Sequence, residues 1–220
     1  MFAASSLTEP FTKIGTDFEK RFPKTRVRFN FGPSDGLATG IAEGGRADVF
    51  ASASEATMDA VARSPGVAAR TVFARNRLVV IVPKDSTSVM VFADLAKPGV
   101  KLVVAAPGVP AGTYARQALT GGGLNAALSN IVSNEVDVKS VVQKVVLGEA
   151  DAGIAYATDV SAAIATNVRT VPIPDPANVI AVYPIAVVTG TGHDTLARAF
   201  IEYVMGPGRD VLTAAGFLSP

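Results

Sequence analysis

Met1-Phe-Ala-Ala-Ser-Ser-Leu-Thr8 is the stretch on which the reading of the whole chain turns. Phe2-Ala3-Ala4 closes an apolar run, and Ser5-Ser6-Leu7-Thr8-Glu9 opens a helix. Ser6 and Glu9 stand at capping-box spacing, in which each side chain would satisfy a free amide at the helix start. A strand that runs directly into a helix leaves unpaired N–H groups and a partial positive charge at its carboxyl end. That is the geometry of an anion site.

The residues outside this stretch carry a core and little charge. The chain has 220 residues, 49% of them apolar and 18% charged, with 20 Lys plus Arg against 19 Asp plus Glu. A net charge of +1 excludes a broad basic face for nucleic acid. No apolar run reaches membrane-span length without interruption. Cysteine is absent and His193 is the single histidine, which removes Cys nucleophiles, disulfides and the usual zinc sites. The abrupt start at Met1 suggests that Met1 stands in place of an export signal.

Helical and strand periods alternate along the chain. Phe11, Ile14, Phe18 and Phe22 recur at helical spacing up to Pro23. Thr25–Phe31 alternates Val27, Phe29 and Phe31 as a strand does. Gly32-Pro-Ser-Asp-Gly36 turns into a short helix from Leu37, and Ala47–Ser52 is a short buried strand. Asn76-Arg-Leu-Val-Val-Ile-Val-Pro83 is the strongest strand signal, an apolar run covered on both faces. Lys101–Ala106 is a second such run. Pro107–Gly112 is a loop before a helix at Thr113. Val138, Val141, Val142, Val145 and Val146 form a helical stripe. Gly148–Tyr156 leads into a strand, Tyr183–Val188 is the last strand, and helices close the chain. The class is α/β. With Leu78–Val82 and Ile185–Val188 read as crossings, residues 1–78 and 185–220 would form one lobe and 79–184 the other. Ligands of such sheets lie beyond the carboxyl ends of strands.

No H-E-x-x-H, P-loop or dinucleotide fingerprint is present. His193 lies in the loop Thr189–Asp194 and reads as a solvated side chain. Asp48 could serve as a lone acid but has no second carboxylate beside it. Four helix starts remain: Ser6, Ser34, Pro110-Ala111-Gly112 and Asp137-Val138. Each alone reads as an ordinary cap. Together they could face one crevice.

The segments Phe2–Thr8, Phe31-Gly-Pro-Ser-Asp-Gly-Leu37, Ala47-Asp-Val-Phe-Ala-Ser-Ala53, Asn76–Pro83, Val109-Pro-Ala-Gly-Thr-Tyr114, Gly148–Tyr156 and Tyr183–Val188 occur in an order and spacing that resembles the molybdate-binding proteins of ABC importers. The resemblance covers nearly the whole chain. It implies the two-lobe periplasmic binding protein type 2 fold, each lobe a mixed central sheet flanked by helices, with the ligand in the cleft between lobes. It implies a ligand set of Ser6 and Ser34 from the first lobe and Ala111, Val138 and Tyr156 from the second. These residues would bind molybdate or tungstate as an oxyanion only, with no direct metal ligation and no cofactor. It further implies delivery to membrane ABC permease subunits, closure of the lobes on the anion, an extracytoplasmic place (periplasm or cell-surface lipoprotein), a monomer, no nucleic acid and no enzymatic activity.

All five residues offer neutral donors. Molybdate and tungstate are deprotonated dianions at neutral pH and only accept hydrogen bonds, so an all-donor pocket suits them. Phosphate keeps a proton that would be left unpaired, at about 1–3 kcal/mol. Sulfate differs in size alone. Asp35 departs from the family's small neutral residues beside the second serine. It reads either as an ordinary first-turn acid or as an acceptor in the pocket. The second reading leaves a sulfate or phosphate receptor open. An enzyme on the same fold is the rival from another class.

Overall fold

The computed structural model describes all 220 residues, Met1–Pro220. In chain order the elements are β1 (Phe2–Ala4), α1 (Thr8–Arg21), β2 (Asn30–Gly32), α2 (Ser34–Ala42), β3 (Val49–Ala51), α3 (Glu55–Arg63), β4 (Val67–Asn76), β5 (Leu78–Pro83) and β6 (Leu102–Ala105). There follow α4 (Pro110–Gly121), β7 (Ile131–Glu135), α5 (Val138–Val146), β8 (Ala152–Tyr156), β9 (Val168–Pro172), β10 (Ala181–Val188), α6 (Asp194–Met205) and α7 (Gly208–Ala214). Short 3-10 turns fill several connections, among them Ser5–Leu7 and Phe92–Ala96. No helix is long and apolar enough to cross a membrane.

The chain divides into two compact units, Met1–Arg75 with Val182–Pro220, and Asn76–Ala181. Each holds one five-stranded mixed sheet with helices packed on it. In the first unit the order is β2-β1-β3-β10-β4. β1 runs parallel to both β2 and β3, and β10 runs antiparallel to β3. Phe50 of β3 packs with Leu37, Ile41, Met58 and Val61 of α2 and α3. On the other face, Phe11 and Phe18 of α1 meet Phe200 of α6 edge-on, with ring centroids 6.2 and 5.2 Å apart. The helical spacing of Phe11, Ile14 and Phe18 is thereby explained: all three are fully buried.

The second unit has the order β7-β6-β8-β5-β9. β6 is parallel to β7 and β8, while β5 is antiparallel to β8 and β9. The valine stripe of α5 buries Val138, Val141, Val142 and Val145. A Cβ on Gly153 of β8 would stand 2.8 Å from Val141 and 2.9 Å from Val145, so the missing side chain lets α5 lie close on the sheet.

Three expectations are corrected. The runs Leu78–Val82 and Ile185–Val188 each lie wholly within one unit, and the chain passes between units slightly earlier, at Arg75–Asn76 at the end of β4 and at Ala181–Val182 at the start of β10. Thr25–Phe29 forms no ladder, because β1 is three residues long and on the side away from β3 it pairs with Asn30–Gly32 alone. The capping box also does not form. Ser5–Leu7 makes a 3-10 turn, α1 starts at Thr8 without a side-chain cap, and the Ser6 hydroxyl is engaged elsewhere.

Candidate functional site

The sequence-derived donors fall into two sets, one per unit. In the first unit, Ala4 is in register with Gly32 on the neighbouring parallel strand. Ser6 and Ser34 each follow their strand by two residues, so both lie at the same carboxyl edge. Ser6 is 4% exposed and Ser34 2%. Ser6 Oγ lies 3.0 Å from the Tyr183 hydroxyl of β10. Ser34 is the first residue of α2, and its Oγ accepts from Ala53 N–H at 3.1 Å. Ala53 follows β3, the third strand of this parallel set. Ser52, fully buried beside it, donates to Ser54 O and holds that turn. Three strand ends thus converge, each held by a hydroxyl.

The second unit repeats the plan. Ala105 pairs with Glu135 at the ends of β6 and β7, and β8 runs parallel beside β6. Ala111 lies in the first turn of α4 after β6, Val138 opens α5 after β7, and Tyr156 ends β8. All three are at most 2% exposed. The first-turn amides of a helix have no partner within it, so Ala111 and Val138 present N–H groups at that edge. Asp137 caps α5 as read from the sequence: its carboxylate accepts from Ser140 N–H at 2.8 Å. The Tyr156 backbone is fixed by Asp159, whose Oδ2 accepts the Tyr156 N–H at 3.1 Å. Asp159 is 3% exposed, and Lys139 of α5 reaches its other oxygen at 3.9 Å.

Asp35 lies in the first turn of α2, with one carboxylate oxygen buried and without a hydrogen-bond partner. The helix N-terminus supplies a favourable field there. Asp48 and His193 are brought together: His193 Nδ1 is 3.1 Å from Asp48 Oδ1, and the Thr191 hydroxyl donates to the same oxygen. This trio does not have the order of a nucleophilic triad, because the hydroxyl is spent on the carboxylate and not on the imidazole. Asp48 and His193 border a cavity of about 340 Å³ at the amino ends of β1 and β3, lined also by Met1, Arg28 and Phe200. None of the five sequence-derived donors lines that cavity.

Burial pushes the Asp48 carboxyl up, but the hydrogen bonds from Thr191 and His193 and the attraction of His193 and the amino terminus outweigh it. The net result lies below the usual carboxylate value. A depressed carboxyl contributes stability above its unfolded value and loses it as pH falls through its folded value. The side chain is 46% exposed, so solvent screens the effect. Asp48→Asn is therefore expected to lower the urea midpoint at about pH 6 and to lose that deficit below about pH 4. Midpoints measured at both pH values check it.

The residues missed from the sequence are the ones that hold the donors: Tyr183, Ser52, Asp159, and Arg116 of α4. Tyr183 meets Ser6 across 177 residues and Arg116 reaches Asn134 across 18, while Ser52 and Asp159 bond close neighbours, and no local period marks any of them.

An α/β chain with two such sheets, each ending its parallel strands in neutral donors, has the build of a solute-binding protein. The chain belongs to the family of bacterial extracellular solute-binding proteins, whose sequence model matches residues 1–218. The molybdate-binding protein ModA of Mycobacterium tuberculosis (strain ATCC 25618 / H37Rv) is 41% identical over 226 residues, covering 100% of this chain and 84% of that protein. Among solved structures, the periplasmic molybdate-binding protein of Azotobacter vinelandii superposes with a TM-score of 0.86 at 22% identity, covering 100% of this chain and 98% of that one. The sulfate-binding protein SubI of Mycobacterium tuberculosis H37Rv superposes with a TM-score of 0.85 at 18% identity, covering 98% and 84%. These two structures share the fold, and the fold alone does not choose between the anions they are named for.

Proposed function

We propose that this chain captures molybdate, and tungstate with it, and delivers the anion to the membrane subunits of an ABC permease. The observation that carries this reading is full-length relatedness at 41% identity to a molybdate-binding protein. The carboxyl-edge donors support it. Ser6 and Ser34 would give hydroxyl and amide hydrogens, Ala111 and Val138 amide hydrogens, and Tyr156 its phenol hydrogen. Hydrogen bonds to an ionised acceptor contribute about 1.5–3 kcal/mol each, so a dianion can be held without a cation in contact. The ligand is cargo and not a cofactor, and the chain performs no chemistry on it. The place of action is extracytoplasmic, in a periplasm or on a cell surface.

Thermal unfolding with molybdate, tungstate, sulfate and phosphate at equal concentration tests the reading. A ligand at about 1,000 times its dissociation constant adds about 4 kcal/mol, which raises the midpoint by roughly 8–16 °C for a chain of this size. The expected result is a rise with molybdate and tungstate. A rise with neither rejects the proposal.

The buried, unpartnered oxygen of Asp35 favours one competing reading, an acceptor for the proton of phosphate. Asp35→Asn separates the two. On the molybdate reading it removes a like charge near the anion and tightens molybdate binding about 2–5-fold, the scale of one charge at a helix end. On the phosphate reading it weakens phosphate binding. Calorimetric titration with both anions decides.

A further inference from the structure

The donor set of the second unit has no charged member, yet one guanidinium stands directly behind it. Arg116 lies one helical turn after Gly112 in α4. Its Nη1 donates to Ala105 O at the end of β6 and to Gly112 O in the first turn of α4, each at 2.8 Å. Its Nη2 donates to the Asn134 side chain of β7. Three acceptors on three segments are thus held by one planar fork. Each segment leads within a few residues to the donor edge: β6 to Ala111 through the loop from Ala106, β7 to Val138 past Glu135, and α4 through its own first turn. Ala106 N–H donates to Glu135 O at 2.8 Å, so the two strand ends are also joined beside the fork.

We propose that Arg116 is the positioning residue of this half-site. Its fork sets the spacing between the Ala111 and Val138 amides, and thereby sets which oxyanion they fit, without touching the anion. The proposal rests on the molybdate reading above. A lysine cannot replace the fork, because a single ammonium on a flexible stem does not hold three acceptors in one plane. The role also explains a neutral pocket. The amides aim at the anion, and the formal charge stays one layer back, where it raises no rival hydrogen bond to the ligand.

The test is calorimetric titration of molybdate into the unsubstituted chain, Arg116→Lys, Asn134→Ala and the double variant, with ligand-free melting measured on each. The expected result is a loss of about 10–100-fold in molybdate affinity for Arg116→Lys, a smaller loss for Asn134→Ala, and a double variant no weaker than Arg116→Lys. A merely structural role would lower the melting midpoint and leave the affinity of the folded fraction unchanged. Arg116→Lys binding within about twofold of the unsubstituted chain, or fully additive losses, overturns the proposal while the molybdate reading stands. No binding by the unsubstituted chain overturns both. Should Arg116→Lys not fold, Asn134→Ala decides alone: unchanged affinity in it overturns the proposal.

Discussion

Gly112→Ala is expected to abolish high-affinity molybdate binding. A Cβ at this position would stand 2.2 Å from the carbonyl oxygens of both Ala105 and Ala106. Both are backbone atoms, so no side chain can swing aside. The first turn of α4 must move off the end of β6, and the amides of that turn move with it. Loss of one such donor to an ionised ligand is worth about 1.5–3 kcal/mol, or roughly 10- to 150-fold in affinity. The same crowding lowers stability by about 1–3 kcal/mol. Gly121→Ala is the control at the other end of the same helix. Nothing lies within 4 Å of its added Cβ, and alanine there gains about 0.5–1 kcal/mol in helix propensity. Titration calorimetry and urea melts on the two variants check the contrast. Equal affinities in both would show that α4's first turn does not reach the anion.

Phe11→Ala should have the largest effect on stability. Phe11 is fully buried, with ring centroids 5.5 Å from Phe73 of β4, 6.2 Å from Phe200 of α6 and 6.3 Å from Phe29. It therefore joins an early helix, a strand and a helix near the carboxyl terminus. Truncation of a buried phenylalanine removes the transfer energy and leaves a cavity, at about 3–5 kcal/mol. Total stability of a domain is about 5–15 kcal/mol. The thermal midpoint should fall by roughly 6–20 °C. Phe22→Ala, a change at a ring that is 37% exposed, should cost much less. Differential scanning calorimetry on both variants measures the difference, and comparable losses would contradict this account of the aromatic cluster.

The strands visible in the sequence and those that were not differ in one physical respect. β5 reads clearly because Leu78, Val80, Ile81 and Val82 are all buried, and such a run has no polar interruption. β4, β7 and β9 leave no comparable signal. All three lie at sheet edges. Edge strands have one free side and carry exposed or polar residues, such as Ala69-Arg70 in β4, Ser133-Asn134 in β7 and Arg169-Thr170 in β9. Their pattern is that of a loop, and only pairing with a neighbour makes them strands.

The site divides in the same way. Helix starts are local, so Ser34, Ala111 and Val138 could be found from caps, prolines and glycines, and Asp137 caps α5 as its sequence suggests. The supports are not local. Ser6 looks like half of a capping box with Glu9, but its hydroxyl meets Tyr183, 177 residues away. Arg116 reaches β6 and β7, and Asp159 links the end of β8 to α5. Tertiary partners decided these roles, and their sequence distance hides them.

The division of the chain at Arg75–Asn76 and Ala181–Val182 has a consequence for biosynthesis. Residues 76–181 are contiguous, so the second unit has its whole sheet as soon as that span has emerged. The first unit waits. β10 lies between β3 and β4 in its sheet, and it is made after the entire second unit. Until then the Ala51 edge of β3 is open and Phe11 lacks Phe200. The amino-terminal third is thus the part of the nascent chain left longest with an unpaired strand and bare aromatic rings, and it is the segment on which a holding chaperone would act.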